Sequence, residues 1–232
     1  KYNIKVIEDA SHAIGAQYKG RPVGACTYSD ISVFSFHPVK IITTAEGGIA
    51  TTQDSYLAEQ MKILRSHGVT RDQEKFEYHD QGGWYYEQIA LGLNYRMTDI
   101  QAALGINQLD RLKQFVKRRN ELAERYNLLL SGINVERPYI AKENYSAYHL
   151  YPIQVKNRKN IFGKLRSKGI GVNVHYIPIH LHPFYRKKGF EPGDFPNCEK
   201  YYSRAISIPL YSGLLNKDQD KIVKTLRDAL NA

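Results

Sequence analysis

Ser35-Phe36-His37-Pro38-Val39-Lys40-Ile41-Ile42-Thr43-Thr44-Ala45-Glu46-Gly47-Gly48 is the stretch on which the reading of the chain turns. Ahead of it lies the apolar, β-branched run Ile31-Ser32-Val33-Phe34, which predicts a buried strand over 31–36. Pro38 ends regular pairing, and Gly47-Gly48 permit a tight turn into a second strand over 48–52. Between the strands, Lys40 stands among apolar and hydroxyl residues rather than among other charges. A lysine desolvated at a strand end loses affinity for its proton and gains nucleophilicity, the chemistry of a Schiff-base lysine. Taken alone, the residues also allow an exposed loop lysine, and composition favours that simpler reading.

Upstream, Ile4-Lys5-Val6-Ile7 predicts a short buried strand that delivers Glu8-Asp9-Ala10-Ser11-His12 at its carboxyl end, where open α/β sheets bind ligands. Residues 18–24 have the composition of a hairpin or loop. Downstream, Asp54 is placed to cap a helix carrying Leu57, Met61 and Leu64 on one face. The segment from His67 to Ile89, which includes Gly82-Gly83-Trp84-Tyr85-Tyr86, shows no periodicity. It reads either as a substrate or subunit-contact loop or as a surface insertion. Thr98-Asp99-Ile100-Gln101 matches a capping box. An apolar stripe continues from it through Leu104, Leu109, Leu112, Val116, Leu122, Tyr126 and Leu129. That stripe predicts one helix of about thirty residues, bent at Gly105 and stopped by Ser131-Gly132.

The remaining sequence alternates short apolar runs and helical patterns. Strands are expected over 148–155 and 172–176, helices over 159–168 and up to Arg204, and a further apolar run over 205–210. A last helix, capped near Asn216, carries Ile222, Leu226 and Leu230. The expected organisation is a larger α/β domain over 1–132, which keeps the linking helix, and a small α+β domain over 133–232.

The 232 residues suffice for one large or two ordinary domains, and a 42% hydrophobic share suits a globular fold. No stretch reads as a signal peptide or is apolar for long enough to span a bilayer, so a cytoplasmic protein without membrane partners is expected. Cys26 and Cys198 are far apart and lack metal-ligand spacing, which fits two reduced structural thiols and no metal site. The net charge of +10 is spread along the chain, with small clusters at 117–119 and 186–188. It suggests acidic ligands and a solvated basic face; no interleaved aromatic–basic motif points to nucleic acid. The chain begins at Lys1, almost directly on a strand, and a further N-terminal portion is expected to precede it.

Four segments, in order, carry a resemblance: Glu8-Asp9-Ala10-Ser11-His12-Ala13, Ser35-Phe36-His37-Pro38-Val39-Lys40, Glu46-Gly47-Gly48 and Gly92-Leu93-Asn94-Tyr95-Arg96-Met97-Thr98-Asp99-Ile100-Gln101-Ala102-Ala103-Leu104-Gly105. They resemble the motifs of the DegT/DnrJ/EryC1/StrS family of nucleotide-sugar aminotransferases, and the likeness extends to Arg204-Ala205-Ile206-Ser207-Ile208-Pro209-Leu210. The resemblance implies a fold type I transferase dependent on pyridoxal 5'-phosphate (PLP): the C-terminal part of a large mixed-sheet α/β domain, then a small α+β domain.

By matching position, it implies that Lys40 is the catalytic lysine that bonds the cofactor and that Asp9 is the carboxylate at the cofactor's ring nitrogen. His12 then contacts the phenolic oxygen and Ser35 the phosphate. Asn94 reaches a phosphate across a subunit interface, so the unit is a homodimer with shared active sites. Taken as residues, Asp9 also reads as a helix cap and His12 as a structural histidine. The likeness implies L-glutamate as amino donor and a nucleotide-linked 4-keto-6-deoxy sugar as acceptor. The wording around Trp84 and Asn94 is closest to enzymes of pseudaminic acid biosynthesis that act on a UDP-linked 4-keto-hexosamine. Trp84, Tyr86, His175 and Tyr176 are candidate substrate contacts. Three histidines at 175, 180 and 182 do not read as a metal set, because no carboxylate or cysteine completes them in sequence.

Two other functions fit parts of the pattern. Sugar dehydratases of the same family carry histidine in place of the lysine, which Lys40 opposes. A truncated, catalytically incomplete fragment acting as a cofactor-binding or assembly module is the alternative if the rest of the family's sequence is absent.

Overall fold

The computed structural model describes residues 2 and 4–231. The chain divides into two compact units, Lys1–Leu112 and Lys113–Ala232. That division falls earlier than the 132/133 boundary expected from composition. The reason lies in the presumed linking helix, which is two helices: α2 (Asp99–Asp110) in the first unit and α3 (Leu112–Leu129), nearly all in the second. They part at Arg111, whose backbone N–H bonds back to the carbonyls of Gln108 and Leu109, and not at Gly105.

The first unit is built on a three-stranded sheet. β1 (Ile7–Asp9) runs parallel to β4 (Ile31–Ser35), and β4 runs antiparallel to β5 (Gly48–Thr51), in the order β1-β4-β5. The strand expected at 4–7 starts later, and Ile7 is 68% exposed rather than buried. Asp30 accounts for the shift. Its carboxylate accepts the Val6 amide at 2.8 Å and its own amide donates to the Val6 carbonyl, so Val6 is occupied before the ladder begins. Among the described residues β1 has one neighbour in this sheet, β4. On β4 the side chains alternate, with Ser32 and Phe34 buried and Val33 exposed.

Between them, β2 (Gln17–Tyr18) and β3 (Arg21–Pro22) form the small antiparallel hairpin anticipated there. α1 (Ser55–Leu64) is capped by Asp54, whose carboxylate accepts the amides of Tyr56 and Leu57. Its buried residue is Ile63; Leu64 faces out and Leu57 and Met61 are only partly covered. The segment from His67 to Ile89 is not structureless. β6 (Val69–Thr70) pairs with β7 (Glu87–Gln88), closing its base, and the Glu87 carboxylate accepts the amides of Glu77 and Tyr78.

α2 opens with the capping box read from sequence: Thr98 Oγ1 accepts the Gln101 amide and Gln101 Oε1 accepts the Thr98 amide. Thr98→Ala is expected to lower stability by about 1 kcal/mol, measured as a lower urea midpoint at unchanged slope. An unmoved midpoint would count against the cap.

In the second unit, α3 buries Val116, Arg119, Leu122, Ala123 and Tyr126, and Leu122, Ala123 and Tyr126 join one core with the two-stranded antiparallel sheet of β9 (Tyr151–Gln154) and β10 (Ala205–Ile208). A short strand, β8 (Asn144–Tyr145), comes between α3 and β9 in the chain. α4 (Arg158–Ser167) and α7 (Asn216–Asn231) pack together and bury Ile161, Leu165, Ile222, Val223 and Leu226. Two short helices, α5 (Pro183–Arg186) and α6 (Pro196–Arg204), fill the connection to β10. Asn216 lies inside α7 rather than capping it; its side chain instead accepts from Arg118 at 3.2 Å. Residues 172–176 form no strand, only one bridge between Asn173 and Ser207.

Candidate active site

Because β1 and β4 are parallel, with Asp9 opposite Val33, the loops that leave them emerge at one end of the sheet. Asp9 is the last residue of β1. The chain turns at once there: the Ala10 amide donates to the Val33 carbonyl at 2.8 Å, Ala10 is buried, and the Ala13 amide returns to the Ala10 carbonyl. Ser11 then donates twice to one oxygen of Asp9, from its hydroxyl at 2.6 Å and from its amide at 3.0 Å. These bonds, the hydroxyl's first, hold the Asp9 carboxyl below its ordinary value, and the positive fields of His12 and Lys40 act the same way. Asp9 is therefore an anion beside His12 and Lys40.

Lys40 is carried by the loop that leaves β4. The Phe36 amide donates to the Gly47 carbonyl, the Thr44 amide to the Phe36 carbonyl and the Lys40 amide to the His37 carbonyl at 3.0 Å. Thr43 Oγ1 donates to the Phe36 carbonyl and accepts the Ala45 amide. The loop thus closes on itself, with Phe36, Ile41, Ile42 and Thr44 buried beneath it. Gly47 is required where it stands, since a Cβ there would run into Thr44 Oγ1 and the Met97 methyl. Burial lowers the Lys40 pKa from 10.5 and Asp9 pulls the other way with less effect. The amine is half-buried and its side chain makes no hydrogen bond to the described residues. Ser35, at the end of β4, accepts the His37 amide through Oγ at 3.4 Å, a long bond that leaves the hydroxyl hydrogen available to donate.

This donor set suits pyridoxal phosphate: an anionic carboxylate for a protonated ring nitrogen, a desolvated amine for an aldehyde and a hydroxyl for a phosphate. The other sequence candidates have their own surroundings. Asn94 is exposed and bridges Ser66 just beyond α1, with no bond to Asp9, Ser35 or Lys40 among the described residues. Trp84 is 78% exposed and lies over Gly82, while Tyr86 stacks against Arg71. His175 and Tyr176 belong to the second unit, where Ser207 Oγ bonds His175 Nδ1 at 2.8 Å and the two rings meet edge to face at 4.7 Å. His180 has a carboxylate after all, Glu199 at 2.8 Å, which the sequence separation concealed. Among the described residues no group of three or more His, Cys, Asp or Glu is arranged to hold a metal ion.

Residues 1–227 match the sequence model of the DegT/DnrJ/EryC1/StrS aminotransferase family. The UDP-4-amino-4,6-dideoxy-N-acetyl-beta-L-altrosamine transaminase of Campylobacter jejuni (strain 81-176) is 38% identical over 232 residues, covering 97% of this chain and 58% of that protein. Spr1654 of Streptococcus pneumoniae, solved in its PLP form, superposes with a TM-score of 0.89 at 32% identity, covering 98% of this chain and 58% of the other. Helicobacter pylori PseC, an aminotransferase involved in the biosynthesis of pseudoaminic acid, gives 0.87 at 32% identity, with 97% and 59% covered. The chain spans 58–60% of the length of the curated relatives it matches.

Proposed function

This chain belongs to the DegT/DnrJ/EryC1/StrS aminotransferase family, and on that premise we propose that the protein carrying it is a PLP-dependent sugar aminotransferase. The observation that carries the reading is the pairing of an anionic Asp9 with a desolvated Lys40 at one end of a parallel strand pair. When bound, pyridoxal phosphate supplies an electron sink that stabilises negative charge at an adjacent carbon. Asp9 holds the proton on the ring nitrogen, without which that sink is weak. Lys40 Nζ is the amine that would bond the cofactor's aldehyde. Its amine would also be the general base that takes the proton from the donor's α-carbon and the general acid that returns it. A lowered pKa suits both duties, since more of the amine is neutral near pH 7 than for an ordinary lysine. His12 lies beside Asp9, where it serves the phenolic oxygen, and the Ser35 hydroxyl serves the phosphate.

L-Glutamate is the proposed donor and a nucleotide-linked 4-keto-6-deoxy sugar the acceptor. The narrower proposal is a UDP-linked 4-keto-hexosamine on a pseudaminic-acid-type route; likeness to the Campylobacter transaminase and to PseC supports it. Trp84, Tyr86, His175 and Tyr176 are proposed sugar-nucleotide contacts. A homodimer is proposed in which Asn94 serves the partner's phosphate site. Two features support it: Asn94 is exposed and, among the described residues, engaged only at Ser66, and the neighbouring α2 buries none of its residues, leaving Ile100 85% exposed. Among the described residues no helix is long and apolar enough to cross a membrane, and a cytoplasmic site of action is proposed with the substrate class.

Borohydride reduction in the presence of pyridoxal phosphate, followed by peptide mapping, tests the assignment. A single reduced adduct is expected on the peptide bearing Lys40; an adduct spread over surface lysines would refute it. The alternative reading is a chain that holds the cofactor without turning it over. Adduct on Lys40 without amino transfer from L-glutamate would select that reading.

A further inference from the structure

Resting on the reading of Asp9 just given, we propose that Ser11 is a positioning residue that dedicates one carboxylate oxygen of Asp9 to the protein frame and leaves the other for the cofactor's ring nitrogen. Both donors of Ser11, hydroxyl at 2.6 Å and amide at 3.0 Å, converge on Asp9 Oδ1. No bond to Oδ2 is made among the described residues. A carboxylate at the end of a strand is otherwise free to turn about its last torsion, which is broad and roughly two-fold. Two donors on one oxygen remove that freedom, and an oxygen already accepting two hydrogen bonds is a poor third acceptor.

The frame is itself fixed. Ala10, between the two residues, is buried, and its amide is held by the Val33 carbonyl at 2.8 Å on the neighbouring strand. On the opposite face of β1, Glu8 accepts from the buried Ser32 at 2.7 Å, tying the same strand to β4 a second time. Ser11 therefore acts from a rigid base, and it acts on charge as well as on direction. The groups facing Asp9 are Ser11, His12 and Lys40, and the Ser11 hydroxyl is the strongest influence keeping the carboxyl ionised. Without it, Asp9 takes up a proton at higher pH, and below that pH the ring nitrogen loses its partner.

The test compares Ser11→Ala with Ser11→Thr, which keeps a hydroxyl. In cofactor-free protein, carbon-13 NMR of the Asp9 carboxyl should show its titration midpoint moving up in Ser11→Ala and staying in place in Ser11→Thr. In the loaded protein, Ser11→Ala should lower kcat roughly tenfold, the equivalent of one charge-assisted hydrogen bond. It should also move the acid limb of the kcat profile to higher pH and leave KM for both substrates within about twofold. Ser11→Thr should restore all three. A Ser11→Ala protein whose carboxyl titration and pH profile superpose on the unmodified protein overturns the role of Ser11. Asp9→Asn separates that failure from the other one. If it leaves the bound cofactor's visible spectrum and kcat unchanged, the reading of Asp9 falls and takes the role of Ser11 with it. If it removes activity while Ser11→Ala does nothing, only Ser11 is misassigned.

Discussion

Lys40→Ala is expected to reduce amino transfer from L-glutamate by roughly 10⁴-fold or more, because a positioned general acid–base alone contributes about 10²–10⁴ and the covalent attachment goes with it. The loss should appear in kcat rather than in the stability of the fold. The Lys40 side chain makes no hydrogen bond to the described residues, and the loop is closed by the backbone of Phe36, His37, Thr44 and Gly47 and by Thr43 Oγ1. Circular dichroism and the urea midpoint should therefore match those of the unmodified protein. An exogenous small amine should restore part of the rate by replacing the missing base. Activity within tenfold of the unmodified protein, with no added amine, would refute both duties assigned to Lys40.

The contrast between Lys40 and its neighbours shows what the amino-acid sequence discloses. Local features were legible because their causes are local. Asp54 caps α1, Thr98 and Gln101 form their box, and Gly47-Gly48 turn into β5, each within a few residues of its partner. The fold type I architecture was legible through spaced motifs, and the same motifs named Asp9, His12 and Lys40, of which the fold brings His12 and Lys40 within electrostatic reach of Asp9. What failed depended on partners distant in the chain or on geometry that apolar spacing does not encode. The apolar stripe runs unbroken through Leu109 and Leu112, yet the helix breaks at Arg111 by a tightened last turn that needs neither glycine nor proline. Residues 172–176 have strand composition, but Val172 is buried without extended pairing, and one bridge to Ser207 is all they form. Ser11 takes its role from the turn that follows β1, which the motif around it does not spell out. An Asp-x-Ser turn at a strand end is the signal that could have marked it.

Arg119 departs furthest from its sequence context, and its replacement is expected to cost the fold heavily. In sequence it belongs to the cluster Lys117-Arg118-Arg119, which reads as a solvated face. In the fold it is only 5% exposed, on the face of α3 that also buries Val116, Leu122 and Tyr126. Its spacing of three from Val116 and three from Leu122 was the available clue. No carboxylate pairs with it among the described residues. Its Nη1 instead donates to the carbonyls of Tyr148 and Leu210 at 3.0 Å each and of His149 at 3.3 Å, pinning the approaches to β9 and the exit from β10 to α3. Burial without a counter-ion drags its pKa from 12.5 to about 10.

Arg119→Met keeps most of the stem volume and removes every donor. Relief of a desolvated charge favours the variant, but the buried carbonyls left without their donor cost about 1–3 kcal/mol each. The loss should win, by roughly 3 kcal/mol in all, read as a lower urea midpoint. The sign of any pH effect follows from the depressed pKa. The charge is disfavoured in the folded state, so its cost is full below about 10 and fades as pH rises from there toward 12.5. The deficit of Arg119→Met should accordingly be the same at about pH 6 as at about pH 8, since the guanidinium is fully charged at both. Arg119→Lys, with a donor but a shorter reach and no planar fork, should fall between the two. Arg119→Met as stable as the unmodified protein would mean that these carbonyls find water, and that the arginine is a passenger in the core rather than the bolt that closes it.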